Sequence, residues 1–266
     1  MSFLPAFSII QAPDTSPVQT AFVLHGIFGH QRNWRTFARA FVSENPRWRL
    51  VLVDLRNHGE SHGAAGPHNV EQTALDLVSL AEHLGAPEAV WGHSFGGKVA
   101  LMYAALANHS PKQVWVLDSF PGRQEGQTTA EMKAMIARLR AVAQPVSSRE
   151  TAKAQLMADG VPSPIAQWMT TNLKRQHDGY RWIFNLDAVE SMIEDYFELD
   201  AWSHLPRLSG RTHLVLAANN PIWTQSVRER LDHLSSNVQA HSLEKAGHWV
   251  HVDNPAGLLQ MLSEHH

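Results

Sequence analysis

Residues 90–98 read VWGHSFGGK and contain Gly-x-Ser-x-Gly between an apolar run and a helical pattern. A serine on so sharp a strand-to-helix turn has a strained backbone and an exposed hydroxyl. The Phe95 amide lies at the start of the helix, where unpaired N–H groups and the helix dipole favour negative charge. The pattern predicts Ser94 as a nucleophile and the Phe95 amide as an oxyanion-hole donor. The alternative is an inert serine on a glycine-rich turn.

Outward from this motif, short β-rich runs alternate with longer helical patterns, as is typical of a parallel sheet with crossover helices. Continuous apolar runs indicate strands that are buried on both faces. The predicted strands are 7–10, 20–24, 50–54, 89–92, 113–118, 213–217 and 238–243, and the predicted helices include 34–42, 70–84, 97–106 and 227–234. We therefore predict an α/β fold, a mostly parallel sheet flanked by helices.

Residues 121–205 break this alternation. They contain no convincing strand, and they carry helix-start signals at Ser147–Glu150, at Ser163-Pro164 and near Asp187. Four consecutive helices exceed what one crossover needs, although extra crossover helices are the alternative. We predict an α/β core in 1–120 and 206–266 and an inserted helical lid in 121–205. Aromatic residues and methionines at helical spacing in this segment are assigned to packing.

Two further loops carry candidate catalytic groups. FVLHGIFG at 22–29 ends a strand in a glycine-rich loop, and its Ile27 amide is the predicted second oxyanion donor. KAGHWVH at 245–251 follows the last predicted strand. Neutral imidazole is suited to take a serine proton at cellular pH, so His248 is the predicted base, with His251 as a competitor.

The acidic residue that would orient His248 is the candidate that the sequence marks least clearly. The loop after the penultimate strand, LAANNPIW at 216–223, contains no carboxylate. Asp118 ends the strand that follows the nucleophile's helix and faces the same edge of the sheet, so it is the predicted partner that orients His248. The alternative is that Asp118 caps a turn and that Asn219 or Asn220 assists a serine–histidine dyad.

Composition limits the remaining chemistry. The 266 residues include no cysteine, which excludes disulfide scaffolds and thiol nucleophiles. With 22 basic and 25 acidic residues and no run of like charge, nothing favours nucleic acid as a partner. No stretch approaches the ~20 apolar residues of a membrane span. The amino terminus lacks a secretory pattern, so we expect a cytoplasmic protein. The sequence does not predict an oligomeric state.

No metal or cofactor is predicted. His58 and His62 lie in a glycine-rich loop, so their rings are not held on one helical face as a zinc helix requires. Serine, imidazole and backbone dipoles can supply the nucleophile, the proton shuttle and the charge stabilisation.

These motifs together resemble the α/β-hydrolase fold superfamily, and most closely its small esterases of the YbfF type and their mitochondrial abhydrolase relatives. The resemblance rests on HGIFG at 25–29, DLRNHGES at 54–61, GHSFGGK at 92–98, YRWIFNLDA at 180–188 and AGHWVH at 246–251. It implies an esterase or thioesterase acting on small-molecule acyl substrates, with Ser94 as nucleophile, His248 as base and Asp118 as acid. The chain departs from these relatives at 217–220, which read AANN where they usually carry Gly-Gly-Asn-Ser.

Two alternative functions use the same fold. One is cofactor-independent dioxygenation of a heteroaromatic substrate, with a His–Asp pair as base. The other is a ligand-binding receptor on a retained hydrolase scaffold. An intact serine, histidine and acid set favours the hydrolase.

Overall fold

The computed structural model describes residues 3–265, and within them nine strands form two sheets. The strands are β1 (Phe7–Gln11), β2 (Gln19–Leu24), β3 (Trp48–Val53), β4 (Ala89–His93), β5 (Gln113–Leu117), β6 (Leu173–Gln176), β7 (Gly179–Trp182), β8 (Arg211–Ala217) and β9 (Val238–Leu243). The larger sheet has the order β1-β3-β2-β4-β5-β8-β9. Strand β1 is antiparallel to β3, and the other neighbours are parallel.

Helices cover both faces of this sheet. They are α1 (Arg35–Glu44), α2 (Val70–Leu84), α3 (Phe95–Leu106), α4 (Gln127–Ala141), α5 (Arg149–Ala158), α6 (Ser163–Met169), α7 (Leu186–Glu198), α8 (Gln225–Asp232), α9 (Val250–Asp253) and α10 (Pro255–Glu264). Apolar side chains of α2 and α3 pack in one core, and those of α1 and α10 pack in a second core on the opposite face. The predicted α/β fold is confirmed, because the central strands are the continuous apolar runs that two covered faces require.

The segment between β5 and β8, residues 121–205, differs from the prediction in one respect. Besides α4–α7 it contains β6 and β7, which pair antiparallel as a separate two-stranded sheet. The expectation of no strand there was wrong, because each strand has only four residues and the side chains of β6 after Leu173 are exposed. No apolar alternation therefore marks them in the sequence. That this segment acts as a lid stays a prediction.

Helix starts in this segment are shifted by one or two residues from those predicted. Ser148, not Ser147, caps α5 by accepting a hydrogen bond from the Thr151 amide. Asn185 caps α7 by accepting from the amides of Asp187 and Ala188. In each case more than one nearby Ser, Asn or Asp side chain could cap the helix, and the local sequence pattern does not show which one does so.

Buried polar contacts attach residues 121–205 to the sheet and its helices. The Lys98 ammonium on α3 donates to the carbonyl oxygens of Gly122, Tyr196 and Leu199 at 2.8, 2.6 and 2.7 Å. The Asp195 carboxylate accepts from the Val70 amide at 2.8 Å. Both ends of the segment are thus held to α3.

In residues 3–265 we find no helix with the length and apolar character needed to cross a bilayer.

Candidate active site

Ser94 occupies the turn between β4 and α3 with φ of 52° and ψ of −119°. This left-handed backbone is costly for a residue with a side chain, and such strain persists only where the surroundings impose it. A Cβ at Gly92 would overlap the Gly96 carbonyl, and a Cβ at Gly96 would lie 2.7 Å from the His25 carbonyl oxygen. The two glycines of the motif are therefore required by close backbone packing.

His248 lies in the turn between β9 and α9, and its ring contacts both predicted partners. Its Nε2 is 3.0 Å from Ser94 Oγ, and its Nδ1 is 2.8 Å from Asp118 Oδ2. Because the carboxylate can only accept, Nδ1 carries the proton and Nε2 presents its lone pair to the serine hydroxyl. The His248 carbonyl accepts from His93 Nε2 at 2.6 Å, which fixes the loop from the other side.

Asp118 follows β5 with φ of 47°, and its side chain is fully buried. Its Oδ1 accepts from the Ala217 amide at 3.1 Å and from the Trp223 indole at 2.6 Å. Its Oδ2 accepts from Asn220 Nδ2 at 2.7 Å as well as from His248. A buried carboxylate with four donors is well satisfied as an anion, and both oxygens are fixed in direction.

The loop at 216–223 contacts Asp118, the predicted acid, through Asn220 and Trp223. Asn220 donates to Asp118, whereas the Asn219 backbone amide donates to the Ala246 carbonyl at 3.0 Å. Trp223 was missed by the sequence analysis. Its sequence signal was its position at the end of the 216–223 loop, where an acid was expected. Its indole N–H can donate a hydrogen bond but cannot accept one.

The two predicted oxyanion donors lie beside Ser94. Ile27 and Phe95 line the same cavity as Ser94 and His248. In the described residues 3–265, neither amide has a hydrogen-bond acceptor. The Ile27 loop is held by His25, whose Nδ1 donates to the Gly26 carbonyl at 2.8 Å and whose Nε2 accepts from the Leu55 amide at 3.0 Å. Two free amides at one mouth can stabilise a developing oxyanion.

His251, the competing base, faces away from the serine. Its ring stacks on Trp34 with centroids 4.1 Å apart and planes at 21°. Burial lowers the pKa of His251 to about 4 and the pKa of His93 well below its usual value. Both rings are neutral packing partners near pH 7, and the imidazole that contacts Ser94 belongs to His248.

Buried contacts hold His58 and Arg56 of the DLRNHGES loop, residues 54–61. His58 Nδ1 donates to the Arg56 carbonyl at 2.9 Å, and its Nε2 accepts from the Phe28 amide at 3.2 Å. Arg56 forms a buried ion pair with Asp76 at 2.7 Å. His58 thus has both ring nitrogens engaged, so it offers no free lone pair to a metal.

A cavity of about 550 Å³ opens over Ser94. The sheet edge contributes Ile27, Ser94, Phe95, Asp118, Phe120, Asn219, Asn220, Pro221, Ile222 and His248, and the inserted segment contributes Gln124, Thr128, Met132, Ile193, Tyr196 and Phe197. The assignment of all aromatic residues of the segment to packing was therefore incomplete for Tyr196 and Phe197. None of the described residues that line the cavity is a lysine or an arginine, and Asp118 is the one carboxylate among them.

Comparison with known proteins places this fold in a family. The profile of the alpha/beta hydrolase family matches residues 21–261. The chain is 30% identical over 251 residues to the sn-1-specific diacylglycerol lipase ABHD11 of Mus musculus, which covers 90% of this chain and 78% of that protein. It is 28% identical over 243 residues to Esterase YbfF of Escherichia coli (strain K12), covering 90% of each. Among solved structures, a marine microorganism esterase superposes with a TM-score of 0.88 at 24% identity and covers 99% of both chains.

Proposed function

The chain belongs to the alpha/beta hydrolase family and is a hydrolase of the esterase/lipase type, and from that premise we propose that it cleaves carboxylic esters or thioesters through an acyl-enzyme at Ser94. The observation that carries the proposal is the pair of contacts made by one imidazole, 3.0 Å to Ser94 Oγ and 2.8 Å to Asp118 Oδ2.

In the first half-reaction, Ser94 Oγ attacks the acyl carbonyl while His248 Nε2 takes the hydroxyl proton. The substrate oxygen gains negative charge, and the amides of Ile27 and Phe95 are available to donate to it. Asp118 accepts from Nδ1 and stabilises the imidazolium that forms. Return of the proton from Nε2 to the leaving alcohol or thiol completes acylation.

In the second half-reaction, water replaces the alcohol. His248 removes a proton from the water, the hydroxide attacks the acyl carbon, and Ser94 leaves with the proton that His248 returns. Each step uses only groups of this chain, so the proposed hydrolysis needs no cofactor.

The test is a panel of p-nitrophenyl esters of increasing acyl length with matched thioesters. For Ser94→Ala we expect kcat to fall by about 10⁴-fold or more, since removal of the nucleophile leaves only binding and oxyanion stabilisation. Ser110→Ala is the matched control, because that serine lies in an exposed loop, and it should keep wild-type turnover. Undiminished ester hydrolysis by Ser94→Ala would contradict the proposal.

The same assays separate the alternatives. An oxygenase on this scaffold would consume dioxygen with a hydroxyquinolone and release carbon monoxide without turning over esters. A receptor would bind ligand and leave every ester of the panel intact. Comparing ester and thioester rates at equal acyl length assigns the leaving-group class.

A further inference from the structure

A second histidine cluster lies apart from Ser94. His213 on β8, His241 on β9 and His265 after α10 bring one ring nitrogen each within 4.8 Å of one another. His213 Nδ1 and His241 Nε2 share a hydrogen bond of 2.9 Å. We propose that these three imidazoles form a binding site for a divalent transition metal, with Zn²⁺ as the expected ion.

The fold brings these distant residues together by strand alternation. Val215 and Leu243 point into the core that contains Leu258 and Leu262 of α10. Because alternate strand residues share a face, His213 and His241 also point towards α10, and His265 directly follows that helix. The cluster therefore joins two neighbouring strands to the last helix.

The donor chemistry selects the metal class. Neutral imidazole suits Zn²⁺, Cu²⁺ and Ni²⁺, whereas Mg²⁺ and Ca²⁺ require oxygen ligands. Three protein nitrogens leave the fourth tetrahedral position for water or another ligand.

Metal binding requires the rings to move and a proton to leave. Two nitrogens at ~2.0–2.1 Å from one zinc ion lie roughly 3.3 Å apart, so the ion would replace the proton of the 2.9 Å His213–His241 hydrogen bond, release it to solvent and move the two nitrogens a few tenths of an ångström further apart. The longest separation, 4.8 Å, must shorten by rotation of a ring. His241 and His265 are only half-buried, so their rings have room for that rotation.

Surrounding groups orient the rings, as outer-shell partners do in metal sites. The Trp115 indole stacks on His213 with centroids 4.1 Å apart and planes at 11°. Its Nε1 donates to Gln113 Oε1 at 2.8 Å, and Gln113 Nε2 donates to the His265 carbonyl at 2.7 Å. This chain of contacts fixes His213 from one side and the backbone of His265 from the other.

The cluster is separate from the proposed catalytic site. Ala217, whose amide donates to Asp118, lies four residues beyond His213 along β8, a distance of roughly 13 Å at strand rise. A metal here would link the last helix to the sheet and would take no part in ester cleavage. The proposal is therefore independent of the proposed function.

The experiment titrates Zn²⁺ into the metal-free full chain, carrying no added histidine tag, in competition with a chromophoric chelator. We expect one Zn²⁺ per chain, a higher Tm with Zn²⁺, and at least tenfold weaker binding for His241→Ala and for His265→Ala. Both variants should keep wild-type ester turnover. His233→Ala, an exposed histidine, is the matched control and should bind like wild type.

A second control tests whether the histidine of the proposed catalytic site causes the Zn²⁺ binding. His248→Ala should retain the Zn²⁺ stoichiometry and the Tm shift. Absence of stoichiometric binding, equal affinity of His241→Ala and wild type, or loss of binding in His248→Ala alone would overturn the proposal. Co²⁺ absorption in the visible range gives an independent readout, because tetrahedral coordination by the cluster should be lost in His265→Ala.

Discussion

The sheet edge and the inserted segment, residues 121–205, contribute differently to the cavity over Ser94. The sheet edge supplies Ser94, Asp118 and His248, each placed by a turn at or near a strand end. Buried hydrogen bonds hold the Asp118 carboxylate, and His93 holds the backbone of His248. The inserted segment supplies apolar walls such as Met132, Ile193 and Phe197. Backbone turns fix the proposed reacting groups, whereas side chains of the inserted segment shape the space that we propose for the acyl chain. Changes at the edge should alter kcat, and changes in the segment should alter acyl selectivity.

Among the changes that test this difference between the two regions, Asp118→Asn should cause the largest loss of kcat. The amide that replaces the carboxylate can turn its NH₂ group towards His248 Nδ1. His248 then carries its proton on Nε2 and presents no lone pair to Ser94, so kcat should fall by about 10⁴-fold. Single-turnover and steady-state ester assays measure this. Asp232→Asn, on the exposed end of α8, should behave like wild type.

A smaller loss is expected when the carboxylate loses one neutral donor. Asn220→Ala removes the 2.7 Å bond to Oδ2, and a hydrogen bond to a charged group is worth about 1.5–3 kcal/mol, so kcat should fall about 10- to 100-fold. If Asn220→Ala abolished turnover while Asp118→Asn kept it, the acid would be misassigned and the loop at 216–223 would take its place.

Acid should destabilise the sheet region through its buried histidines. Burial lowers the pKa of His58 to about 4, and it lowers the pKa values of His25 and His93 well below their usual value. Below pH 6.5 the unfolded chain takes up protons that the folded chain does not, so stability present above pH 6.5 is lost as the pH falls towards 4. For His58 alone the loss at pH 5 is about 2 kcal/mol.

Urea unfolding between pH 8 and pH 5 measures this loss. His58→Gln should flatten the pH dependence even though it lowers stability at pH 8. A free energy of unfolding that stays constant from pH 7 to pH 5 would contradict the account.

The smallest effect is expected from the inserted segment. Met132→Trp adds volume to the cavity wall, so KM for a long-chain ester should rise about tenfold, while turnover of an acetyl ester stays unchanged. A tenfold change is within the range that one methylene group more or less causes in an apolar pocket. Met157→Trp is the matched control in the same segment, since Met157 is exposed. An equal loss for all acyl lengths would mean that Met132 acts on the reacting groups and not on selectivity.

The same contrast explains what the sequence could predict. Ser94, His248 and Asp118 could be proposed from the sequence because each follows an apolar strand or lies in a short glycine-containing loop, and these are local patterns. The hairpin of β6 and β7 has no apolar alternation to detect. Trp223 and the cluster of His213, His241 and His265 depend on contacts between residues far apart in the chain, so no local pattern marks them.

The most direct test is covalent labelling of the wild-type chain with a fluorophosphonate, followed by peptide mapping with mass spectrometry. We expect one adduct per chain, on Ser94, with loss of ester turnover in proportion to labelling and much slower labelling of His248→Ala. An adduct on another residue, or full ester turnover by a chain labelled at Ser94, would contradict it.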